Sequence, residues 1–399
     1  IGSNDTVLKS DGTDVSWGTV SAGPTTKTFG TSSIMIGDDA TGTIDAANYN
    51  TGLGIDVFAA LTTGDANNAV GFSALNANTT GSFNTAMGHY ALDACVSDSN
   101  NTAIGSTALE YCVGSYNTAV GSGTLNANTT GTKNTAVGYR AGFNVTTGTQ
   151  NTAVGEQALT GVTTTNNNTA IGYRAMTVAG ATECTAIGTQ ALNACSGDAN
   201  TAVGWQSSVN NSSGSKNTAV GYWSLKSNTT GITNVAVGHN ALKANTTGSA
   251  NTSLGQDSLL AEVTGEGNVA VGTSSLYTSN GGSWNTSAGW NAGLSNTTGS
   301  YNCFFGMKAG RDVTTGSNNV LIGGSAGRSN QPTTAITTQS NRIIMGNADH
   351  TNAHIAISWT VTSDKRDKTD VTPLDMGLSF INKLEPVTYK WDKRAKYEE

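Results

Sequence analysis

One glycine recurs at a nearly constant spacing through most of this chain. The pentapeptide that ends in it reads NNAVG up to Gly71 and NTAMG up to Gly88, and several later copies read NTAVG or NTAIG. Eighteen such glycines are in phase, with a step of seventeen that shortens to sixteen three times; they are Gly37, Gly54, Gly71, Gly88, Gly105, Gly121, Gly138, Gly155, Gly172, Gly188, Gly204, Gly221, Gly238, Gly255, Gly272, Gly289, Gly306 and Gly323. A fixed short period of this length indicates a solenoid.

The repeat unit reads N-T-A-V-G-x-x-A-L-x-x-N-T-T-G-x-x. Seventeen residues are too few for a strand, a helix and two loops, so each unit is predicted to form one coil with two short strands and two turns. The first strand is T-A-V, as at 135–137, and the second lies near A-L. The N-T-T-G stretch is predicted to be a turn in which Gly supplies a positive φ. We expect the residue before the repeat glycine, as at Val70, Ile104, Val120 and Val137, and the Leu after it to point inward.

Two further properties of the sequence support stacked coils. No Pro lies between Gly37 and Gly323, as continuous ladders of strands require. Asn residues at one register are expected to form amide ladders along the axis. Each coil buries almost nothing alone, so stability comes from stacking, and eighteen coils at about 4.8 Å each give a rod of roughly 85 Å. Because two apolar residues per coil make a thin core, we predict that more apolar surface is buried between chains in a threefold assembly.

The predicted fold class is therefore all-β: a parallel β-solenoid or β-roll of about 18 coils in a homotrimeric fibre, with a short α+β C-terminal segment. The predicted division of the chain is an N-terminal β connector at 1–32, the repeat shaft at 33–327, a linker and β-strand tip at 328–362, and a separate C-terminal segment at 363–399. Within these segments we expect a hairpin at 7–20, strands at 341–350, 353–361 and 385–391, and a helix at 374–384.

Charge and composition exclude several function classes. The net charge is −7, and no basic stripe is present, which argues against a nucleic-acid partner. No apolar run of about 18 residues occurs, so no membrane span is predicted. The sequence contains no CxxC and predicts no cofactor. Since the chain begins at Ile1 without a signal peptide, we expect it to be a fragment of a longer product.

The repeats resemble two groups of fibrous proteins. The N-T-A-V-G unit is similar to the N-S-V-A-I-G unit of trimeric autotransporter adhesin heads, which are homotrimeric left-handed parallel β-rolls. Units that read NTAVGYxAL…NTTGxxNTAVG also resemble the shafts of bacteriophage tail fibres. The resemblance covers roughly 33–327, and the repeat step is longer than the usual coil of the adhesin heads.

The charge-rich stretch TSDKRDKTDV at 362–371 leads into a second resemblance. The segment from Ser363 to Trp391 resembles the start of the endosialidase-type intramolecular chaperone of phage tail spikes and fibres, which assists trimer folding and then releases itself by autoproteolysis. Its motif is Ser-Asp-x-Arg-x-Lys, and this sequence matches it in full from Ser363 to Lys368. The resemblance implies cleavage between Thr362 and Ser363, with Ser363 as the nucleophile, Lys368 as the general base and Asp364 in the same site.

That assignment is chemically reasonable, because a Ser hydroxyl needs a base within reach to act as a nucleophile. The alternative interpretation is a solvated charge cluster before a helix, in which Ser363 and Asp364 cap the helix locally. The chain ends at Glu399, soon after Ser363, so by this resemblance we expect the chaperone to be incomplete here.

Other residue patterns give weaker candidates. Exposed aromatic faces stack on sugars, and aromatics after the repeat glycines are candidates for a receptor-binding surface; we single out Tyr139, Tyr173, Trp205, Trp223 and Trp290. They pack as readily between chains. His350 and His354 are weak metal candidates in what reads as a polar turn, so no metal is predicted. Cys95, Cys112 and Cys195 fall at one register and are expected to be small core residues.

These patterns predict a structural and adhesive fragment of a phage tail fibre, located in the virion and extracellular after release. Its expected partners are two further copies of itself, other tail proteins on the N-terminal side, and a glycan or protein of the host surface. The only enzymatic activity predicted is self-cleavage. Two alternatives remain, a cellular trimeric adhesin head and an ice-binding β-solenoid, although heptads are absent and the T-T pairs are irregular.

Overall fold

The protein is described here from a computed structural model. The structure describes residues 6–10, 15–19, 25–27, 33–37, 46–328 and 336–351. The chain divides into two compact units, Ile1–His350 and Thr351–Glu399. Every described strand lies in the first unit, and the described residues contain no α-helix. The predicted helix at 374–384 and the predicted strands at 353–361 and 385–391 lie outside these residues.

Short strands follow one another along the whole of the first unit. They are β1 (Thr6–Ser10), β2 (Val15–Thr19), β3 (Thr25–Lys27), β4 (Ile34–Gly37), β5 (Thr51–Gly54), β6 (Asn68–Val70), β7 (Thr85–Met87), β8 (Thr102–Ile104), β9 (Thr118–Val120), β10 (Thr135–Val137), β11 (Thr152–Val154), β12 (Thr169–Ile171), β13 (Val178–Ala179), β14 (Thr185–Ile187), β15 (Ala194–Cys195), β16 (Thr201–Val203), β17 (Thr218–Val220), β18 (Val235–Val237), β19 (Thr252–Leu254), β20 (Val269–Val271), β21 (Thr286–Ala288), β22 (Cys303–Phe305), β23 (Val320–Ile322) and β24 (Ile343–Met345).

The repeat strands form one parallel ladder in which like residues face like. Thr135 pairs with Thr152, and Ala136 with Ala153, and the same register continues from β4 to β24, with only β13 and β15 outside it. The first strand of the predicted coil, T-A-V, is therefore confirmed, as is the all-β parallel β-solenoid. β13 and β15 pair with each other in a separate small sheet.

The side chains that point into the coil from each strand are not the ones that were predicted. Asn and Ala point into the coil: Asn134 and Ala136 are almost fully buried, whereas Val137 is 38% exposed. The prediction that the residue before the glycine points inward is wrong. Side chains alternate along a strand, so once Asn occupies the interior, Ala two residues later must follow it and Val must face outward.

In most coils the segment after the repeat glycine is a turn, and among the described residues the predicted second strand near A-L forms only as β13 and β15. The Leu of this segment is buried as expected, yet Leu225 has a φ of 50° and Trp223, two residues earlier, has a φ of 56°. Left-handed residues at alternate positions prevent an extended strand. The turns still bond from coil to coil, since the Leu225 N–H donates to the Ala241 carbonyl at 2.9 Å. Stacking therefore holds a conformation that costs free energy in a single coil.

Glycine has a different role in each half of the repeat. The repeat glycines from Gly54 to Gly323 have positive φ, as Gly221 does at 134°. The glycine of N-T-T-G does not, so the prediction that it supplies a positive φ is wrong. At Gly231 a Cβ would instead collide with the Gly248 carbonyl oxygen of the next coil. Close backbone approach, and not backbone conformation, requires glycine there.

The predicted Asn ladder is confirmed. Asn234 Oδ1 accepts a hydrogen bond from the backbone N–H of Asn251 at 3.0 Å, and Asn234 Nδ2 donates to the Gly248 carbonyl at 2.8 Å. The Asn of N-T-T forms a second buried column, in which Asn245 Nδ2 donates to Asn228 Oδ1 at 2.9 Å. These amides satisfy the interior backbone groups of each turn.

Both ends of the ladder depart from the repeat. The predicted N-terminal hairpin is confirmed, because β1 and β2 pair antiparallel. β3 pairs antiparallel with β4 and so covers the first edge of the ladder. At the other end β24 continues the parallel ladder beside β23 after a connection longer than the repeat, with Val320 paired to Ile343. The predicted strand at 341–350 therefore lies in the solenoid sheet.

Candidate functional site

The residues of the predicted autoprocessing site lie outside the described residues. Thr362, Ser363, Asp364 and Lys368 all belong to the second unit, and their roles stay predictions.

The histidine candidates have one described member. His350 is exposed. Its Nδ1 is 2.7 Å from the side-chain oxygen Oδ1 of Asn347 and 3.1 Å from the backbone nitrogen of Asn347. This geometry closes the polar turn after β24. His354 lies outside the described residues. Within the described ranges, no group of three or more His, Cys, Asp or Glu side chains is placed to hold a metal ion.

The three cysteines predicted at one register lie buried in the coil interior as expected, whereas Cys303 is partly exposed. All five thiols are free, and Cys95, Cys112 and Cys195 are fully buried. Burial raises the pKa of Cys112 to about 11, so its thiol stays protonated at neutral pH. Cys184 and Cys195 both approach the Gly197 carbonyl oxygen, at 3.5 and 3.2 Å.

One carboxylate is also completely buried. Glu262 occupies the position of the N-T-T Asn and accepts hydrogen bonds from the N–H groups of Gly265 and Gly281 at 2.6 and 2.8 Å, and from the Ser279 hydroxyl at 2.6 Å. Its oxygens are used to hold the turn, so Glu262 is a structural residue.

The predicted aromatic residues all lie at the surface, but on different coils. Tyr139, Tyr173, Trp205 and Trp290 each follow a repeat glycine directly and are 40–52% exposed. Trp223 occupies the next position and is partly buried. The structure brings Trp205 and Trp223 together, with ring centroids 5.7 Å apart, and leaves the other three on separate coils.

Trp205 and Trp223 belong to a larger aromatic cluster. The Trp205 ring stacks on Tyr222 at 4.9 Å with an interplanar angle of 13°, and Tyr222 stacks on His239 at 5.1 Å and 6°. Trp223 lies beside Tyr222 at 4.6 Å. We call Trp205, Tyr222, Trp223 and His239 the aromatic platform. It spans three coils and is the most extended ring stack among the described residues; Phe72, His89 and Tyr90 form a smaller one.

Polar and basic side chains surround the aromatic platform. Lys226 Nζ and Lys243 Nζ lie 4.0 and 4.3 Å from the centre of the Trp223 ring. The Trp223 Nε1–H donates to Gln206 Oε1 at 2.8 Å. Neither lysine takes part in the two ion pairs found among the described residues. A chain with a net charge of −7 thus places two partly buried lysines on this platform.

Sequence reasoning missed His239, Lys226 and Lys243. A signal for His239 was present, because positions 205, 222 and 239 each follow a repeat glycine and are one repeat apart. Lys226 and Lys243 are also one repeat apart, at a different position of the unit. Side chains at equal positions of neighbouring coils stack about 4.8 Å apart. Residue type alone identifies aromatic side chains one at a time, whereas the repeat period shows which side chains are neighbours on successive coils.

Comparisons with known proteins give one finding. Residues 363–399 match the model of the family described as chaperone of endosialidase. Neither the curated proteins nor the solved structures include a significant match to the chain. The described residues include no helix with the length and apolar character needed to cross a membrane. The C-terminal match and the parallel β-solenoid together fit a phage tail fibre with an endosialidase-type chaperone.

Proposed function

We propose that this chain is the shaft of a bacteriophage tail fibre, which works as a homotrimer in the virion and attaches the particle to a host surface. The observation that carries the proposal is the succession of a parallel β-solenoid and a segment that matches the chaperone-of-endosialidase family. A stack of coils bonded from strand to strand supplies the reach and rigidity that a fibre needs.

The C-terminal segment has a separate role in this proposal. It assists trimer folding and is released by cleavage of the Thr362–Ser363 bond. The Ser363 hydroxyl attacks the Thr362 carbonyl carbon, Lys368 takes the hydroxyl proton, and Asp364 belongs to the same site. Transfer of that proton to the Ser363 nitrogen breaks the peptide bond and leaves the Thr362 acyl group joined to the Ser363 side chain as an ester. Water then hydrolyses this ester, and that step separates the two chains. Support comes from the family match, which begins at Ser363.

Attachment is assigned to the aromatic platform, with a glycan of the host surface as its ligand. Tyr222 is stacked between Trp205 and His239, so its ring supports the platform and offers no free face. Trp205 is 40% exposed, and we assign to its ring the apolar contact with the C–H groups of a sugar. Gln206 supplies polar contacts beside the rings, and Lys226 and Lys243 supply hydrogen-bond donors. The acidic character of the rest of the chain argues against nucleic acid as the ligand.

Loss of the platform rings is expected to weaken this binding. The intact protein is first tested on an array of bacterial surface polysaccharides to find the one that it binds. Trp205→Ala or Trp223→Ala should lower the affinity for that polysaccharide by at least about tenfold, which corresponds to about 1.4 kcal/mol. Trp284→Ala is the matched control, since Trp284 is 55% exposed on another coil. Equal losses in all three variants, or no loss in the first two, would contradict the assignment.

One observation favours a second candidate, the ice-binding solenoid. The outer face of the strands is more regular than the T-T pairs suggested, because Thr and Val of each T-A-V strand face outward in register on successive coils. Regular Thr rows on a flat β face match ice. An assay of ice recrystallisation with the purified protein distinguishes this candidate from the tail fibre. An ice-binding solenoid should inhibit recrystallisation as a single chain.

A further inference from the structure

A row of apolar side chains runs along the outside of the solenoid. The outer row, as we call it, consists of the residue before each repeat glycine from β5 to β23: Leu53, Val70, Met87, Ile104, Val120, Val137, Val154, Ile171, Ile187, Val203, Val220, Val237, Leu254, Val271, Ala288, Phe305 and Ile322. Ten of them are between 38% and 49% exposed in the single chain. Monomeric soluble proteins rarely leave a continuous apolar surface of this length uncovered.

The outer row is apolar on every coil, whereas the next exposed position is not. The residue after each repeat glycine varies freely and includes Ser106, Glu156, Thr189 and Trp205. Both positions face outward, so exposure alone does not explain the difference. The strand also places the small Ala136 inside and the larger Val137 outside. This arrangement is expected of a coil that packs apolar surface against something external.

We infer that the outer row is the surface on which two further copies of this chain pack. A partner that covers the outer row has to present apolar side chains about every 4.8 Å along its whole length. A second copy of this chain meets that requirement, because it carries the same outer row with the same spacing. A stable interface buries about 800 Å² per partner, which requires only about 50 Å² from each coil. A half-exposed Val or Ile with the neighbouring Thr offers an area of that size.

This inference rests on the proposed homotrimer and assigns its interface to one face. The aromatic platform does not belong to the strand, because Tyr222 and Trp223 lie in the turn that follows β17. Assembly through the outer row therefore uses positions that differ from those proposed for glycan binding.

Hydroxyl-radical footprinting of the intact protein tests the assignment without any substitution. Ile171 and Ile187 of the outer row are each 38% exposed in the single chain, and Ile232, directly after the glycine of an N-T-T-G turn, is 47% exposed. Packing against other copies should make oxidation of Ile171 and Ile187 at least about fivefold slower than that of Ile232. Oxidation at equal rates in a protein that is trimeric by native mass would overturn the assignment and leave the trimer standing.

Charge placed on the outer row provides the second test. The triple variant Val137→Glu, Val154→Glu and Ile171→Glu should shift the native mass from trimer to monomer, because three chains would bring nine carboxylates into one apolar interface. The control replaces the exposed turn residues Thr130, Thr147 and Thr164 by Glu. These residues lie on the coils of Val120, Val137 and Val154, so the control adds the same charge to the same part of the solenoid and should stay trimeric.

A further variant guards against simple misfolding of the charged one. Val137→Thr, Val154→Thr and Ile171→Thr keeps β-branched side chains in the strands and should weaken the trimer while the circular dichroism of the strands persists. Charged and Thr variants that both stay trimeric would overturn the interface. A monomeric wild-type protein would instead contradict the proposed homotrimer, and inhibition of ice recrystallisation by that monomer would assign the face to ice.

Discussion

Replacement of Ser363 by Ala is expected to abolish release of the C-terminal segment from the product of the complete gene. The variant lacks the hydroxyl oxygen that attacks the Thr362 carbonyl, so the peptide bond has no nucleophile within the chain. Intact mass under denaturing conditions should show two chains for the wild type, one of which begins at Ser363. The Ser363→Ala variant should show one uncut chain.

Two further substitutions separate the chemistry from the local charge. Lys368→Ala should also block the cut, because it removes the general base. Asp367→Ala changes a variable position of the motif and should leave release intact. Release from Ser363→Ala at the wild-type rate, or a new N-terminus at another residue, would contradict the proposed site.

Substitution of a single repeat glycine should have the largest effect on stability. A Cβ at position 221 would lie 2.5 Å from the Gly238 carbonyl oxygen of the next coil, and the φ of 134° is one that side chains rarely adopt. We expect Gly221→Ala to lower the free energy of unfolding by at least about 3 kcal/mol, since strain and overlap with backbone add. Thermal unfolding and proteolysis between adjacent coils measure the effect.

The chain contains a matched control for that glycine. A Cβ added at Gly324 would meet no atom within 4 Å, and the backbone there does not have a positive φ. Gly324→Ala should therefore change the free energy of unfolding by less than about 0.5 kcal/mol. Similar stabilities of the two variants would show that adjacent coils are not in the register described.

The period of the sequence was enough to predict the stacked coils, and the Asn position was enough to predict the amide ladder. The repeat period did not determine on which face of the strand Val137 lies. That choice follows from alternation: Asn134 and Ala136 share one face of an extended chain, and hydropathy alone had favoured Val137 for the interior. Once the Asn ladder was accepted, the outward position of Val137 could have been derived.

The turns were less accessible to sequence reasoning. Leu225 and Trp223 adopt left-handed backbone conformations that propensities assign to Gly or Asn. Hydrogen bonds to the neighbouring coils hold them there, since the Trp223 N–H donates to the Trp205 carbonyl of the preceding coil and the Leu225 N–H to the Ala241 carbonyl of the next. A single repeat unit contains no such bonds. The N-T-T-G glycine was assigned a positive φ by analogy with isolated turns, whereas contact with the following coil is what excludes a side chain at Gly231.

The candidate site was predictable only in part, for the same reason. Residue type identified Trp205 and Trp223. His239 joins them because stacking places equal positions of successive coils side by side, and Lys226 and Lys243, which are one repeat apart, both lie over the Trp223 ring. Tyr139, Tyr173 and Trp290 have the same residue types but do not join the platform; Tyr173 and Trp290 lie beneath Arg174 and Lys308 instead.

Native mass spectrometry of the product of the complete gene tests the central claim most directly. The account predicts a complex of three identical bodies, each ending at Thr362, together with a released segment that begins at Ser363. A stable body with the mass of one chain would contradict the homotrimeric fibre.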